Sequence, residues 1–292
     1  MKQLKQGLLL LLVSAMLCGC SLMAQPAGPD PNSTSTAILS SAPSAEPVPT
    51  PEPTPTPVPK EELKRQEREK KQQDGFVVEQ GYLYAVEKNG EPKCNTYIGV
   101  LYFDKYGRYT SGSKELDRLV ASVIRKNTTE RQTRMQKLKA MYEYTRDNIK
   151  YLGFGNHDLS YEPAHGKDGW MTDCAIYALE NGVGNCYHFA ATFAALARGL
   201  GYQAYATSGV IGSQEQQHGW VEILDEAGNI WYNDPETEYS RIYWLQEKHD
   251  LFYKSKEDIS ATTGIQYMQM KDPFEAEAAE ARERALSSFP GS

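Results

Sequence analysis

Three residues in the C-terminal half of the chain, Cys186, His218 and Asp234, are of the types that carry out nucleophilic acyl transfer. In such chemistry a thiolate attacks a carbonyl carbon, an imidazole moves the proton and a carboxylate orients the imidazole. The three residues occur in that order along the chain. A cysteine on an apolar helix, or a histidine on a strand, is by itself more often structural. The prediction of catalysis therefore depends on the elements that would bring the three together.

The predicted position of Cys186 in its helix favours a reactive thiol. A short helix beginning near Asp173 is expected to end at Asn181-Gly182, and Gly184-Asn185 then starts an apolar helix that ends at Gly199. Cys186 falls in the first turn of this second helix. Aligned peptide dipoles and free backbone N–H groups at that end stabilise a thiolate, and the same N–H groups can hold an oxyanion.

Three strands are predicted after this helix, at residues 203–210, 219–224 and 229–233. With a five-residue loop at 225–229, His218 lies opposite Glu236 and Asp234 lies opposite Trp220. His218 and Asp234 are then diagonal neighbours on one face of the sheet. A loop one residue shorter would place them on opposite faces, so the candidate triad depends on this register.

These segments resemble the transglutaminase-like core domain. The resemblance rests on Gly184-Asn185-Cys186 followed by Ala190, on His218-Gly219-Trp220-Val221-Glu222, and on Trp231 to Asp234-Pro235. It covers roughly residues 131–239 and implies an α+β, papain-like fold with the catalytic cysteine at a helix N-terminus packed on an antiparallel sheet. It also implies that Cys186 attacks an amide or ester carbonyl, that His218 shuttles the proton and that Asp234 orients His218. No metal or organic cofactor is implied.

Two features depart from the pattern of that family. Glu236 stands where threonine is frequent, and the loop at 213–217 is rich in glutamine; neither is expected to touch the triad. Three aromatic residues near the motifs are candidates for the wall of a substrate cleft, with a place in the core as the alternative. They are Trp170, Tyr187 and Trp220.

Other cysteines and histidines are weaker candidates. Outside the cytoplasm Cys94 and Cys174 could pair in a disulfide and leave the nucleophile unpaired, but sequence does not show whether they meet. His157, His165 and Cys174 match no zinc-ligand spacing, so no metal is expected. His188 follows the nucleophile by two positions on the same helix and therefore points elsewhere.

The N-terminus predicts export. Lys2 and Lys5 precede an apolar run at residues 8–17, which is the layout of a secretory signal peptide and too short to span a bilayer comfortably. The segment Leu17-Cys18-Gly19-Cys20 resembles the bacterial lipobox. The resemblance implies a signal peptide of residues 1–20 and a lipid on Cys20, which anchors the protein to the outer face of the cell membrane. The alternative is an ordinary secreted protein cleaved nearby.

The segment between the signal peptide and the first predicted strands has a composition unsuited to a core. Residues 21–74 are predicted to be a disordered linker, rich in proline, serine and threonine and then in charged residues. The charged part, Lys60 to Gln73, is either a solvated helix or more linker. At the other end of the chain, residues 273–292 form an acidic tail to which we assign no function.

Residues 75–112 predict β-hairpins, with a turn at Asn89-Gly90. Their aromatic residues loosely resemble one or two degenerate copies of the cell-wall-binding repeats of Gram-positive surface proteins. A single hairpin is marginal alone, so we expect these strands to pack on the catalytic domain, residues 113–272.

Two amphipathic helices are predicted to open that domain. The first begins at Ser113, a residue type that caps helices, and the second runs from about Glu130 to Ile149. The expected inner stripe of the first is Leu116, Leu119, Val120, Val123 and Ile124. That of the second is Met135, Leu138, Met141, Tyr142 and Thr145.

Charge and motifs together limit the function. A net charge of −7 argues against nucleic acid as a partner. The leading hypothesis is acyl transfer through a thioester on an amide of a protein or peptidoglycan peptide. Hydrolysis is favoured over crosslinking because water is always available outside the cell. The alternative is a non-catalytic wall-binding or scaffolding lipoprotein, and nothing in the sequence indicates an oligomeric state.

Overall fold

The computed structural model describes residues 59–72, 74–152 and 169–269. The predicted signal peptide with Cys20, the proline-rich part of the linker, His157, His165 and the acidic tail lie outside the described residues. Among the helices described, none is long and apolar enough to cross a membrane.

The charged segment before the first strands is a helix, α1 (Lys60–Lys71), with no buried residue. Its basic side chains reach carboxylates of later elements: Arg68 lies 3.4 Å from Glu79, and Lys71 lies 3.1 Å from Glu130. Of the two alternatives for this stretch, the structure has the solvated helix. Residues 60–71 are therefore not part of a disordered linker.

Five short strands follow α1. Strands β1 (Phe76–Glu79) and β2 (Tyr82–Ala85) form one antiparallel hairpin. Strands β3 (Thr96–Ile98), β4 (Leu101–Phe103) and β5 (Tyr109–Thr110) form an antiparallel sheet. The two share a small apolar core made of Phe76, Leu83, Ala85, Leu101, Phe103 and Tyr109.

These strands pack on the rest of the described chain, as expected for hairpins too small to stand alone. The side chain of Gln203 accepts a hydrogen bond from Val100 N at 2.7 Å and donates one to Ile98 O at 3.0 Å. Gly81 lies so close to the backbone of Ala121 that a Cβ would fall 2.0 Å from its carbonyl oxygen. The first contact joins the small sheet to the residue Gln203, and the second joins the β1–β2 turn to Ala121; both of these residues belong to the larger part of the structure.

Two helices open the main core. Ser113 caps α2 (Lys114–Asn127) by accepting from Leu116 N. The next helix, α3 (Arg134–Asn148), begins later than predicted because Thr133 and Gln136 form a capping box that fixes its first turn. Its predicted inner stripe is buried except for Met135, which is 39% exposed in that first turn.

The central helix is buried on all sides. A two-residue parallel pair, β6 (Lys150–Tyr151) and β7 (Val183–Gly184), brackets α4 (Trp170–Asn181) in the chain, and Gly182 ends α4 in a left-handed conformation. Helix α5 (Cys186–Arg198) follows directly, and every residue from Cys186 to Ala197 is buried. It packs against α3, α4 and the main sheet.

The main sheet is antiparallel, with the strand order β10-β9-β8-β11. Its strands are β8 (Gln203–Ile211), β9 (Gln216–Leu224), β10 (Ile230–Asn233) and β11 (Tyr267–Gln269). Between β10 and β11 lie α6 (Pro235–Ser240), a π-helical turn (Arg241–Leu245) and α7 (Lys256–Thr263). The fold is α+β, with Cys186 at the N-terminus of a helix on an antiparallel sheet, as predicted.

Candidate active site

Three elements supply the candidate triad. Cys186 is the first residue of α5, behind the N-cap Asn185. His218 lies on β9, and Asp234 follows β10 directly and caps the N-terminus of α6. All three side chains are buried, with relative exposures of 6%, 3% and 0%. The site is therefore inside the protein, at the junction of α5, β9 and α6.

The register of β9 and β10 is the one predicted. Ile230 pairs with Leu224 and Asn233 pairs with Val221, so continuing the register places Asp234 opposite Trp220. His218 and Asp234 are diagonal neighbours on that face. The His218 Nε2 to Asp234 Oδ2 distance is 2.8 Å. The five-residue loop thus places the Asp234 carboxylate within hydrogen-bond distance of the imidazole.

Gly219 allows β9 to approach the first turn of α5. A Cβ on Gly219 would lie 2.9 Å from Tyr187 Cδ1 and 3.3 Å from the Cys186 carbonyl oxygen. Any side chain at this position would force the strand and the helix apart. The glycine next to His218 therefore allows the imidazole to lie close to Cys186.

The His218 imidazole is held between Asp234 and Cys186. Since Nε2 is bonded to Asp234, Nδ1 is the nitrogen left for the Cys186 thiol, with which the ring also has a hydrogen bond. Burial alone would lower the pKa of His218. The charge and hydrogen bond of Asp234, together with the thiol, outweigh burial and hold that pKa well above its usual value. The arrangement favours an imidazolium.

Asp234 is kept ionised by the donors around it. Its Oδ1 accepts from Thr237 N at 2.9 Å, and its Oδ2 accepts from the Tyr267 hydroxyl at 2.8 Å in addition to His218. Burial would raise the pKa of Asp234, but the charge and hydrogen bond of His218 and the bonds from Thr237 lower it below its usual value. The carboxylate can therefore orient the imidazole as an anion.

A second layer of contacts fixes the backbone at Asp234. The hydroxyl of Tyr142, on α3, lies 3.1 Å from the Asp234 carbonyl oxygen and 2.7 Å from Glu238 Oε2. Glu238 also accepts from Arg146 Nη1 at 2.5 Å and from Leu251 N at 2.8 Å. The sequence marked Tyr142 as a core residue only. The contact of its hydroxyl with Asp234 and Glu238 depends on α6, which lies about ninety residues later in the chain.

Glu236 contacts the triad, contrary to expectation. Its Oε2 lies 3.7 Å from His218 Nδ1, and its Oε1 accepts a 2.5 Å hydrogen bond from the Ser240 hydroxyl. Burial and the charge of Asp234 raise the pKa of Glu236 above its usual value, although the charge of His218 acts in the opposite direction. The signal was already present in the sequence, since the predicted register places Glu236 opposite His218.

The three aromatic candidates for a substrate cleft are core residues in this structure. Trp170, Tyr187 and Trp220 are 2%, 2% and 0% exposed. The Trp220 ring stacks on His218, with centroids 6.3 Å apart, and Trp170 meets Tyr187 edge-on at 6.0 Å. These three rings pack beside Cys186 and His218 in the core, and they expose almost no surface to a substrate.

The helix cap limits which N–H groups can serve as an oxyanion donor. The Asn185 side chain accepts from Tyr187 N at 3.1 Å, and the Asn185 carbonyl oxygen accepts from His188 N and Phe189 N. Of the first-turn donors, the N–H of Cys186 itself is the one that the cap does not use. Oxyanion binding at this helix end would therefore depend on Cys186 N–H.

The other histidine and cysteines considered from the sequence, His188, Cys94 and Cys174, take no part in the contacts between Cys186, His218 and Asp234. His188 is bonded to Asn185 Oδ1 at 2.8 Å, and burial lowers the pKa of His188 to about 4, so it is neutral near pH 7. Cys94 is exposed, Cys174 is buried, and no disulfide joins them.

One cluster in the described residues has ligand atoms close enough for a cation: His218, Asp234 and Glu236, within 4.8 Å of one another. Its shortest contact is the Nε2 to Oδ2 hydrogen bond of the triad, which accounts for the grouping. We assign no metal to it.

A cleft of about 750 Å³ lies near the opposite end of α5. Its walls include Phe76, Arg134, Tyr202 and Tyr253, and none of the triad residues lines it. Its size alone would suggest a ligand site, but its position gives it no part in chemistry at Cys186.

Comparisons with known proteins bear on this domain. One solved structure, called that of a "putative cysteine protease" from Cytophaga hutchinsonii, is 18% identical, with a TM-score of 0.32 over 53% of this chain and 47% of that one. This chain thus matches about half the length of that neighbour. No curated protein matches the chain. The family model of the transglutaminase-like superfamily matches residues 118–235, which include Cys186, His218 and Asp234. Residues 118–235 are therefore similar to the transglutaminase-like superfamily, in agreement with the resemblance of the three motifs.

Proposed function

We propose that the protein is a cysteine-dependent hydrolase or acyl transferase that acts on amide bonds through a thioester on Cys186. The observation that carries the proposal is the placement of His218, with Nε2 bonded to buried Asp234 and the thiol at its other side. Nucleophile, base and orienting acid in this geometry perform acyl transfer.

The steps follow from the positions of these groups. The proton of the Cys186 thiol passes to His218 Nδ1, and the sulfur attacks the amide carbon to give a tetrahedral oxyanion near Cys186 N–H. Nδ1–H then protonates the leaving nitrogen, the C–N bond breaks and a thioester remains. A second nucleophile attacks the thioester, gives its proton to Nδ1 and releases the acyl group. Asp234 stabilises the imidazolium throughout.

We propose water as the second nucleophile. An amine in that role would give transamidation by the same first half, but water is present at high concentration wherever an exported protein works. The substrate is then an amide of a protein or of a peptidoglycan peptide. The lipobox-like segment ending at Cys20 supports a place on the outer face of the membrane, where such peptides occur.

The test is selective alkylation of the full chain, followed by mass spectrometry. A limiting dose of iodoacetamide is applied between about pH 4 and pH 9 to the wild type, His218→Ala and Asp234→Ala. Exposed Cys94 serves as the internal reference thiol. We expect Cys186 to be alkylated faster than Cys94 at acidic pH despite its burial, because the imidazolium stabilises the thiolate.

Loss of that preference in His218→Ala, with retained helical circular dichroism, would support the triad and justify screening amide substrates. An ordinary thiol profile for Cys186 in the wild type, unchanged by His218→Ala, would overturn the catalytic proposal. The non-catalytic wall-binding lipoprotein would then be the better hypothesis.

A further inference from the structure

Two carboxylates flank the His218 imidazole, one at each nitrogen. Asp234 Oδ2 is hydrogen-bonded to Nε2 at 2.8 Å, while Glu236 Oε2 lies 3.7 Å from Nδ1. The second carboxylate is on the side that the thiol must approach. Its side chain is only 10% exposed, so water screens it little. This contact belongs to no step of the mechanism above.

The surroundings of Glu236 differ from those of Asp234. Three residues donate hydrogen bonds to the Asp234 carboxylate, namely His218, Thr237 and Tyr267. Glu236 receives one, from the Ser240 hydroxyl, and its second oxygen faces Nδ1 at a distance too long for a hydrogen bond. Glu236 Oε2 is therefore close enough to attract the imidazolium by charge, but it makes no hydrogen bond to Nδ1 in this structure.

The second oxygen of Glu236 lies where a further negative charge would act on the His218 imidazolium. The active form of the site contains one cation, the His218 imidazolium, and two anions, the Asp234 carboxylate and the Cys186 thiolate. A third anion on Glu236 would share the same imidazolium inside a buried site. Like charges this close disfavour each other's ionisation.

We propose that Glu236 is a positioning residue that sets the pH range in which Cys186 is a nucleophile, because its carboxylate competes with the thiolate for the His218 imidazolium. When Glu236 carries its proton, Nδ1 pairs with the thiolate. When Glu236 releases that proton, its carboxylate attracts Nδ1–H, and the equilibrium of Cys186 moves toward the protonated thiol. The inference rests on the proposed function, since it concerns the same imidazolium.

The charged and titratable groups around Glu236 come from three elements. His218 faces it from β9, Asp234 precedes it at the cap of α6, and Tyr267 on β11 interacts with its charge. The pKa of Tyr267 is held well above its usual value by burial and by Asp234, so this phenol stays neutral. Tyr267 therefore adds no charge beside Glu236, and His218 and Asp234 are the charged groups that act on it.

The experiment measures the rate of Cys186 alkylation against pH in the full chain. The variants are Glu236→Gln, which keeps the shape and removes the charge, and Glu236→Ala, which removes the group. Glu257→Gln is the matched control, because it removes the same charge from an exposed position on α7. A purely structural role for Glu236 would change the folded fraction but not the midpoint of the pH profile.

We expect Cys186 in both Glu236 variants to be alkylated at the wild-type rate on the acidic side, where Glu236 carries its proton. Where wild-type Glu236 has released its proton, we expect alkylation about tenfold faster in the variants, because no second carboxylate then competes for the imidazolium. Glu257→Gln should follow the wild type. Wild-type-like profiles in both variants, or a shift in Glu236→Gln without one in Glu236→Ala, would overturn the inference while leaving the triad intact. If wild-type Cys186 behaves as an ordinary thiol, both this inference and the proposed function fail.

Discussion

Asp234 and Glu236 lie two positions apart, yet their pKa values move in opposite directions. Both carboxyls are buried, and burial alone raises the pKa of each. The charge of His218 and several hydrogen bonds reverse the effect for Asp234, whereas among the described residues Glu236 has the Ser240 hydroxyl alone as a donor. The charge of His218 and the donors that reach each carboxylate therefore set the opposite directions of the two pKa values.

This difference predicts a pH-dependent stability for Glu236→Gln. The folded pKa of Glu236 is above its usual 4.5, so its contribution to stability is fully present below about pH 4.5 and is lost as pH rises through the folded pKa. A neutral glutamine avoids that loss. We expect a higher Tm than the wild type at pH 8, and a difference that narrows at pH 4, by calorimetry.

Each 1 kcal/mol gained at pH 8 corresponds to roughly 2–4 °C in Tm for a domain of this size. A Tm difference of the same size at both pH values would show that packing, and not ionisation of Glu236, causes it.

At the scale of elements, the site depends on how closely β9 approaches α5. Helix α5 carries Cys186 and strand β9 carries His218, and the two elements meet where Gly219 faces Tyr187 and the Cys186 carbonyl. An added methyl group in a well-packed interior forces neighbouring atoms to shift and lowers stability. The separation of these two elements therefore controls both stability and the contact between thiol and imidazole.

We predict that Gly219→Ala lowers the free energy of unfolding by about 1–3 kcal/mol and abolishes the acidic-pH reactivity of Cys186. The matched control is Gly199→Ala, at the other end of α5, where a Cβ would fall 2.5 Å from Val120 Cγ1. Urea denaturation measures stability, and alkylation measures the thiol. If Gly219→Ala retains rapid alkylation of Cys186, the close approach is not needed for activation.

At the scale of the whole molecule, α1, the N-terminal strands and the main core belong to one compact unit within the described residues. Gln203 begins β8 and bonds both Ile98 and Val100, so the main sheet and the small sheet share a side chain. The strands at 75–112 thus have a structural role, whether or not they also bind cell wall.

The proposed anchor gives a prediction for the full chain in a bacterial cell. Cys20→Ala should move the protein from the membrane fraction to the soluble exported fraction, because the residue that would carry the lipid is lost. Cys18→Ala is the control, since it removes a thiol two positions earlier and keeps Cys20. Fractionation with immunoblotting measures the distribution. Wild-type-like membrane association of Cys20→Ala would contradict lipidation at this residue.

The sequence by itself determined the local geometry of the site. Asn185 and the glycines around it defined where α5 begins, so Cys186 was placed in the first turn correctly. The length of the loop at 225–229 determined the register of β9 and β10, and with it the His218 and Asp234 contact. Caps and hairpins depend on residues adjacent in the chain, and this is why they could be predicted.

Only the tertiary structure decided which distant side chains complete the site. The Tyr267 hydroxyl that bonds Asp234 lies on β11, beside β8, and the Tyr142 hydroxyl comes from α3. Burial of the aromatic residues near the motifs, and the position of Glu236 Oε2 beside Nδ1, likewise depend on how α6 and the sheet pack around His218. These contacts join elements far apart in sequence, and no local pattern encodes the packing that creates them.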